Sequence, residues 1–363
     1  MKKILVVDDS TLMRRVMCDI INSDERFTVT DEARDGVEAL ELIKTKEYDA
    51  VVLDVNMPRM DGMQLLHTLR DEGIQAHVMM ASTTTMDGAS ITMQALELGA
   101  LDFIHKPEWS FKCKEDEFTK AFCNTLAAVC EAKLHAGTPA AKKSESGSKA
   151  SLAKVHEIAR KNAANITGNR IVALAVSTGG PKSLQSVIPF LPADLNAPVV
   201  MVQHMPVGFT ASLADRLNSM SMIEVVEAKE GDVLKKGCVY IARGGAHMNL
   251  VRMGKQVAVH YTDEPSREGV KPCANYMYES LAGTDYDEVV CVVMTGMGAD
   301  GTEGIVHLKE KKKTYCITQE SSTCVVYGMP RAAVKAGVSN VEVPLSDIAQ
   351  EIILHVGVTK NGC

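Results

Sequence analysis

The run Ile171-Val172-Ala173-Leu174-Ala175-Val176-Ser177-Thr178-Gly179-Gly180-Pro181 constrains this chain more than any other stretch. Ile171 to Val176 has the length and branching of a buried strand. It stops at a serine, two glycines and a proline, and proline is favoured at the first position of a helix. The segment therefore reads as strand, tight turn, helix, with Ser177 at the carboxyl end of the strand. In open α/β sheets that end is where ligands bind. A hydroxyl beside the free N–H groups of a helix start is what a serine nucleophile with an oxyanion site requires. Taken alone, Ser177 is equally well read as a helix N-cap. Serine is also a poor nucleophile unless a base takes its proton. The decisive question is whether a base and an orienting carboxylate stand at comparable strand ends.

At 363 residues the chain is long enough for two or three domains, each with its own core. A formal net charge of −7 argues against a dedicated nucleic-acid binder. The apolar stretch of Met1-Lys2-Lys3-Ile4-Leu5-Val6-Val7 stops at Asp8-Asp9, short of a signal-peptide core. No run reaches the ~18 apolar residues of a membrane span, so no membrane insertion is expected. The ten cysteines include no C-x-x-C pair and several fall in apolar patterns. They are expected to be reduced, mostly buried thiols of a cytoplasmic protein.

Residues 1–106 alternate strand-like and helix-like segments five times. The strands are expected near Lys3–Val7, Thr28–Ala33, Ala50–Leu53, His77–Ala81 and Asp102–Ile104, and a last helix near Glu115–Leu134. Such alternation implies a parallel sheet with helices on both faces. Asp8 and Asp9 follow the first strand, Asp54 ends the third and Lys106 follows the fifth. Parallel strands bring those ends to one edge, where three carboxylates repel one another unless a cation joins them; an oxygen-only site suits Mg²⁺.

Val6-Val7-Asp8-Asp9-Ser10, Asp54-Val55-Asn56-Met57-Pro58, Asp61-Gly62 and Lys106-Pro107 resemble the motifs of response-regulator receiver domains. The resemblance covers residues 1–128 and implies a flavodoxin-like (βα)5 fold. It implies that Asp54 accepts a phosphoryl group from a histidine kinase. Asp8, Asp9, Asp54 and the backbone carbonyl of Asn56 would hold Mg²⁺, and Lys106 would pair with the phosphoryl oxygens. A phosphoryl-sensing hydroxyl after the fourth strand is also implied, for which Ser82 and Thr83 are both candidates.

Residues 135–150, HAGTPAAKKSESGSKA, have no apolar periodicity and a composition that cannot order itself. A helix end and flexible linker is expected over 129–167, with a weak helical pattern at 151–161. A second α/β domain follows over 168–356, then a tail at 357–363. Strands are expected near Ile171–Val176, Pro198–Gln203, Glu224–Val226, Val239–Ile241, Val257–His260, Val289–Met294 and Tyr315–Thr318. Helices are expected at Pro181–Ile188, Thr210–Leu217 and Pro272–Leu281. Hairpin-like spacing of the short middle strands predicts a mixed, mostly parallel sheet.

Two further strand ends carry chemistry: His204 follows Pro198–Gln203, and Asp300 lies in Thr295-Gly296-Met297-Gly298-Ala299-Asp300-Gly301 after Val289–Met294. A serine, a histidine and an aspartate after strands of one sheet can meet at its carboxyl edge. Ser177 would attack, His204 shuttle the proton and Asp300 orient the imidazole. The stretch 296–301 is also a formal G-x-G-x-x-G, with Glu320 where a ribose-binding acid would stand. Asp300 inside that loop would repel a pyrophosphate, which disfavours nucleotide binding.

Ser177-Thr178-Gly179-Gly180-Pro181, Gln203-His204-Met205, Gly244-Gly245-Ala246-His247-Met248, Pro265-Ser266, Thr295 to Gly301 and Tyr327-Gly328-Met329-Pro330 together resemble the catalytic domain of chemotaxis protein-glutamate methylesterases. That family also carries an amino-terminal receiver, so both domains and their order match. The resemblance implies hydrolysis of glutamate γ-methyl esters on chemoreceptor cytoplasmic helices, with methanol released, and deamidation of receptor glutamines. It puts Ser177, His204 and Asp300 on the triad and Met297 on the oxyanion position. It implies a monomer, activated when Asp54 is phosphorylated, with no cofactor in the catalytic domain. The chain departs from the family pattern at Ala175-Val176, where Gly-Ala is usual, at Arg243, where proline is frequent, and at Asn275, where aspartate is common. Two other readings stand beside this one: a phosphorylation-controlled binding module with an idle hydrolase fold, and a related esterase of a non-motility pathway.

Overall fold

The structure is a computed structural model and describes residues 1–82, 86–106, 116–133, 157 and 168–359. Thr83, Pro107, the linker expected at 135–150, the helical pattern at 151–161 apart from residue 157, and the end of the carboxyl tail lie outside the described residues. The chain divides into two compact units, Met1–Thr138 and Pro139–Cys363. Among the described residues no helix is long and apolar enough to cross a membrane. The eight described cysteines are all free and buried.

In the first unit the order is β1 (Lys2–Val7), α1 (Thr11–Asn22), β2 (Phe27–Ala33), α2 (Gly36–Thr45), β3 (Ala50–Asp54), α3 (Gly62–Asp71), β4 (Val78–Ser82), α4 (Met86–Leu98), β5 (Asp102–His105) and α5 (Asp116–Glu131). The sheet order is β2-β1-β3-β4-β5 and every pairing is parallel. The continuous apolar runs Ile4–Val7 and Val51–Leu53 are buried on both faces, as strands between two helix layers must be. Helix starts are written locally. Ser10 caps α1 through the Met13 N–H, Asp35 caps α2 through the Val37 and Glu38 N–H groups, and Asp61 forms a capping box with Gln64 on α3.

In the second unit the strands are β6 (Arg170–Val176), β7 (Val199–Gln203), β8 (Glu224–Glu227), β9 (Cys238–Ile241), β10 (His247–Met253), β11 (Gln256–Thr262), β12 (Glu288–Val293), β13 (Lys313–Gln319) and β14 (Val341–Val343). The helices are α6 (Gly180–Leu184), α7 (Phe209–Met220), α8 (Ala274–Ser280), α9 (Thr302–Lys309), α10 (Met329–Lys335) and α11 (Ile348–Val356). Seven strands form one sheet, β14-β13-β12-β6-β7-β9-β8, and β10 and β11 form a separate antiparallel pair.

The large sheet is wholly parallel, which corrects the expectation that the short middle strands would make it mixed. β8 and β9 have hairpin-like spacing but run parallel, because the segment between them crosses over against β11. Gly231 donates to Val259 and Leu234 to Val257 along that path. The strand His247–Met253 was not predicted because it alternates only partly, its outer end being exposed. Val341–Val343 is too short to carry a pattern. The helix expected over Pro181–Ile188 ends at Leu184, ahead of a 3₁₀ turn at Ile188–Phe190 built around Pro189.

At the opposite edge from the strand ends that carry Ser177 and Asp300, Glu288 opens β12 almost fully buried. Its carboxylate pairs with Arg170 Nε of β6 at 2.9 Å, Lys313 Nζ of β13 at 3.3 Å and His355 Nε2 of α11 at 3.1 Å. One side chain thus ties three adjacent strands to the last helix. Glu288→Ala would leave the Arg170 guanidinium without its ion-pair partner and the His355 Nε2 without the carboxylate it contacts. It should cost about 3 kcal/mol of stability, read as a lower urea midpoint for the second unit.

Candidate functional site

In the first unit, parallel pairing carries the ends of β1, β3 and β5 to one edge, and the side chains expected there meet. Lys106 Nζ lies 2.5 Å from Asp8 Oδ2 and 2.6 Å from Asp54 Oδ1. Ligand oxygens of Asp8, Asp9 and Asp54 lie within 4.8 Å of one another. Asp8 and Asp54 are buried and Asp9 is exposed, so the cluster opens to solvent on one side. Burial pushes the Asp54 carboxyl up, against the pull of Lys106, and the charge of Asp8 adds to the rise. A carboxylate held this way gains from any cation brought beside it. The donor set is oxygen-only, which fits Mg²⁺. Asp54 Oδ1 also accepts from the Val55 N–H at 2.7 Å, and Asn56 is exposed at the head of the following loop.

Ser82 ends β4 and is buried. Its Oγ accepts from Thr92 Oγ1 of α4 at 2.8 Å. Thr92 was not singled out in the sequence, where one threonine on an apolar helix face carries no signal.

In the second unit, β12, β6 and β7 are neighbours in register. Val176 pairs with Gln203, and Ala175 with Val293. Ser177 and His204 therefore begin adjacent turns. The Ser177 N–H donates to Thr295 O at 3.0 Å and the His204 N–H to Val176 O at 3.2 Å. Gln203 Nε2 donates to the carbonyls of both Ser177 and His204, at 3.1 and 3.2 Å, and so fastens the two turns together. Gly179 takes φ +76 to end the turn, where a Cβ would lie 2.6 Å from Val325. A Cβ on Gly296 would lie 2.7 Å from Ser177 Cβ and 2.4 Å from Met329 Sδ, so the loop after β12 packs directly behind the serine. Met297, next in that loop, is half-buried, and its N–H has no acceptor among the hydrogen bonds of the described residues.

His204 Nε2 lies 2.7 Å from Asp300 Oδ2, which leaves Nδ1 as the nitrogen for a proton from a serine. Asp300 is buried, and its second set of partners comes from the start of α8. Ala274 N–H donates to Oδ2 at 2.6 Å, Asn275 N–H to Oδ1 at 3.0 Å and the Cys273 thiol to Oδ1 at 3.0 Å. Burial pushes the Asp300 carboxyl up, but the bonds from His204, Cys273 and Ala274 outweigh it and hold the group at about 2. The aspartate thus caps a helix from another loop while holding the histidine.

The departures noted in the sequence fall around this frame. Asn275 Oδ1 accepts from the N–H groups of Gly301 and Gly304, at 3.0 and 2.7 Å, so it caps α9. Its Nδ2 donates to Glu268 Oε1 at 3.1 Å, where an aspartate would set two carboxylates face to face. Arg243 stacks over the Tyr261 ring at 4.7 Å. Ala175 is fully buried against the loop at Gly301, with 3.5 Å to a Cβ there. Glu320, considered as a ribose ligand, caps the turn to Thr323 and lies apart from the 296–301 loop's bonds. Behind the site, Gln319 Oε1 accepts the Thr295 N–H at 2.8 Å, and the Val326 N–H donates to Thr295 Oγ1 at 3.0 Å.

Two predictions follow from this geometry. Gly296→Ala should displace the Ser177 turn and cut kcat by ten-fold or more on the order-of-magnitude scale of a 1 Å misplacement, with far-ultraviolet circular dichroism unchanged. Because the Asp300 carboxyl is depressed from 3.8 to about 2, its stabilisation is present above the unfolded value and lost as pH falls. The stability gap between wild type and Asp300→Asn should therefore narrow by about 1 kcal/mol from pH 6 to pH 3 in urea titrations.

Comparison with known proteins matches each of the two units to a family. A family profile described as response regulator receiver domain matches residues 4–114, and one described as CheB methylesterase matches residues 172–352. A protein-glutamate methylesterase/protein-glutamine glutaminase of Pyrococcus horikoshii is 41% identical over 99% of this chain and 95% of its own length. The Bacillus subtilis protein of that name is 42% identical over 97% of this chain and 98% of its own. The crystal structure of the Thermotoga maritima CheB methylesterase catalytic domain superposes with a TM-score of 0.50 at 38% identity, over 52% of this chain and 98% of that one. With an α/β receiver followed by an α/β catalytic domain, and relatives aligned over nearly its whole length, the chain belongs to the family of receiver-linked protein-glutamate methylesterases.

Proposed function

We propose that this chain is a phosphorylation-activated protein-glutamate methylesterase and protein-glutamine glutaminase of a chemotaxis pathway, with Ser177, His204 and Asp300 as its triad. The single observation that carries the residue assignment is the 2.7 Å pairing of His204 Nε2 with buried Asp300, on the strand end next to Ser177. Ser177 Oγ attacks the ester carbonyl carbon of a methylated glutamate on a chemoreceptor helix while His204 Nδ1 takes its proton. The Met297 N–H, free of another acceptor, stabilises the oxyanion. The imidazolium, held by Asp300, returns the proton to the leaving methoxide, and methanol departs. Water, deprotonated by the same nitrogen, then cleaves the acyl-enzyme to a free glutamate. A receptor glutamine reacts by the same path, with ammonia as the leaving group.

In the receiver, Asp54 accepts the phosphoryl group from a chemotaxis histidine kinase. Asp8, Asp9, Asp54 and the Asn56 carbonyl would hold Mg²⁺, which when bound would supply charge neutralisation for phosphoryl transfer. Lys106, already bonded to Asp54, keeps a cationic contact with the product. Ser82, by turning the hydroxyl proton it donates to Gly88 O toward a phosphoryl oxygen, senses the modification. The domains run over residues 1–128 and 168–356, joined by 129–167, and the enzyme works as a cytoplasmic monomer.

The test is methanol release from methylated receptor cytoplasmic fragments, with and without a small phosphodonor and Mg²⁺. Release should fall at least 10³-fold in Ser177→Ala. The phosphodonor should accelerate the wild type and leave Asp54→Ala unchanged. A folded, phosphorylated wild type that binds receptor fragments but releases no methanol would make the chain a binding module instead.

A further inference from the structure

The hydrogen bonds around Asp300 include one with no part in the scheme above. Cys273 immediately precedes α8 in extended backbone, at φ −120 and ψ 130. Capping of that helix is done by Asp300 from across the site, through the Ala274 and Asn275 N–H groups. The Cys273 thiol lies on the same carboxylate, with Sγ 3.0 Å from Oδ1, and is itself fully buried. The Cys273 N–H donates to His247 Nδ1 at 3.2 Å, which fixes the residue from its backbone side. Burial first, and then the charge of Asp300, push the thiol well above its ordinary value, so it remains a donor and never a competing anion.

We propose that Cys273 is a positioning residue of the hydrolytic site, a weak thiol donor on Asp300 Oδ1 that turns Oδ2 toward His204 and sets how strongly the carboxylate holds the imidazolium. The inference rests on the triad reading above. Every donor on a carboxylate stabilises its charge and so lessens what it gains from a neighbouring cation. A thiol is the weakest of the protic donors that fit this space. It fills the fourth site on Asp300 and leaves the carboxylate free to stabilise the imidazolium formed during attack. His204 is the other titratable group on this carboxylate, and the buried Tyr278 hydroxyl, bonded to the Ala173 and Val292 carbonyls, feels its charge. Glu268 is reached only through Asn275 Nδ2, and Lys271 and Glu264 only through His247.

The experiment measures kcat/KM for methanol release against pH in full-length Cys273→Ser and Cys273→Ala, with phosphodonor and Mg²⁺ present. A hydroxyl donates more strongly than a thiol, so in Cys273→Ser the acid limb should move to lower pH by about half a unit. In Cys273→Ala the donor is gone and the limb should move to higher pH, with KM unchanged in both. Opposite displacements are not the signature of a merely structural residue. Displacement in one direction for both variants, or in neither, would overturn the proposal. A second measurement needs no activity. The S–H stretching band isolated as the difference between wild type and Cys273→Ser should move to higher frequency in Asp300→Asn. A band that ignores Asp300→Asn shows that the bond is absent and overturns the proposal. Methanol release surviving in Ser177→Ala would instead overturn the triad reading, whatever the thiol band does.

Discussion

Val176 lies beside Gln203 and Ala175 beside Val293 in three neighbouring parallel strands, and nearly everything at the candidate hydrolytic site descends from that registration. Parallel strands in register end on one edge, so residues just beyond them are delivered together without any long-range recognition between their side chains. The backbone then does the close positioning. Ser177 donates to Thr295, His204 to Val176, and one buried amide, Gln203, bonds the carbonyls of both turns. The receiver sheet uses the same device with different chemistry: Asp8, Asp54 and Lys106 leave parallel strands and meet within ion-pair distance.

The price of bringing charge to such an edge is desolvation, and each site answers it differently. Asp300 is surrounded by four donors, so burial is outweighed and the carboxyl is held at about 2. Asp54 has Lys106 and one backbone N–H against the charge of Asp8, and burial prevails, leaving its carboxyl raised. The first is a permanently ionised group suited to holding a cation that appears during reaction. The second is a group in electrostatic deficit, to which an added cation is worth most. The same residue type thus has two physical roles, set by how many donors the surrounding backbone supplies.

Much of this was legible in the sequence because it is carried by local patterns. Continuous apolar runs marked the buried parallel strands, whereas the helix caps Ser10, Asp35 and Asp61 emerged only in the structure. Ser177, His204 and Asp300 were visible as polar residues directly after such runs. The parallel course of β8 and β9 was not visible, because short strands with loop-like spacing pair according to where the crossover packs. Nor were Thr92, Gln203, Cys273 and Asn275 legible as partners of the sites. Their side chains act on residues ten to twenty-seven positions away, or on carbonyls that any residue would supply.

By itself, then, the sequence determined the alternation of strand and helix, the two α/β domains and which side chains are candidates for the chemistry, since these depend on periodicity and residue type within short windows. Only the tertiary structure decided which nitrogen of His204 meets Asp300, that Asp300 caps α8 and that a thiol completes its shell. It also decided that Ser82 Oγ accepts from Thr92 and donates to Gly88 O. Those outcomes depend on distances between elements remote in the chain, and no pattern along one segment encodes them.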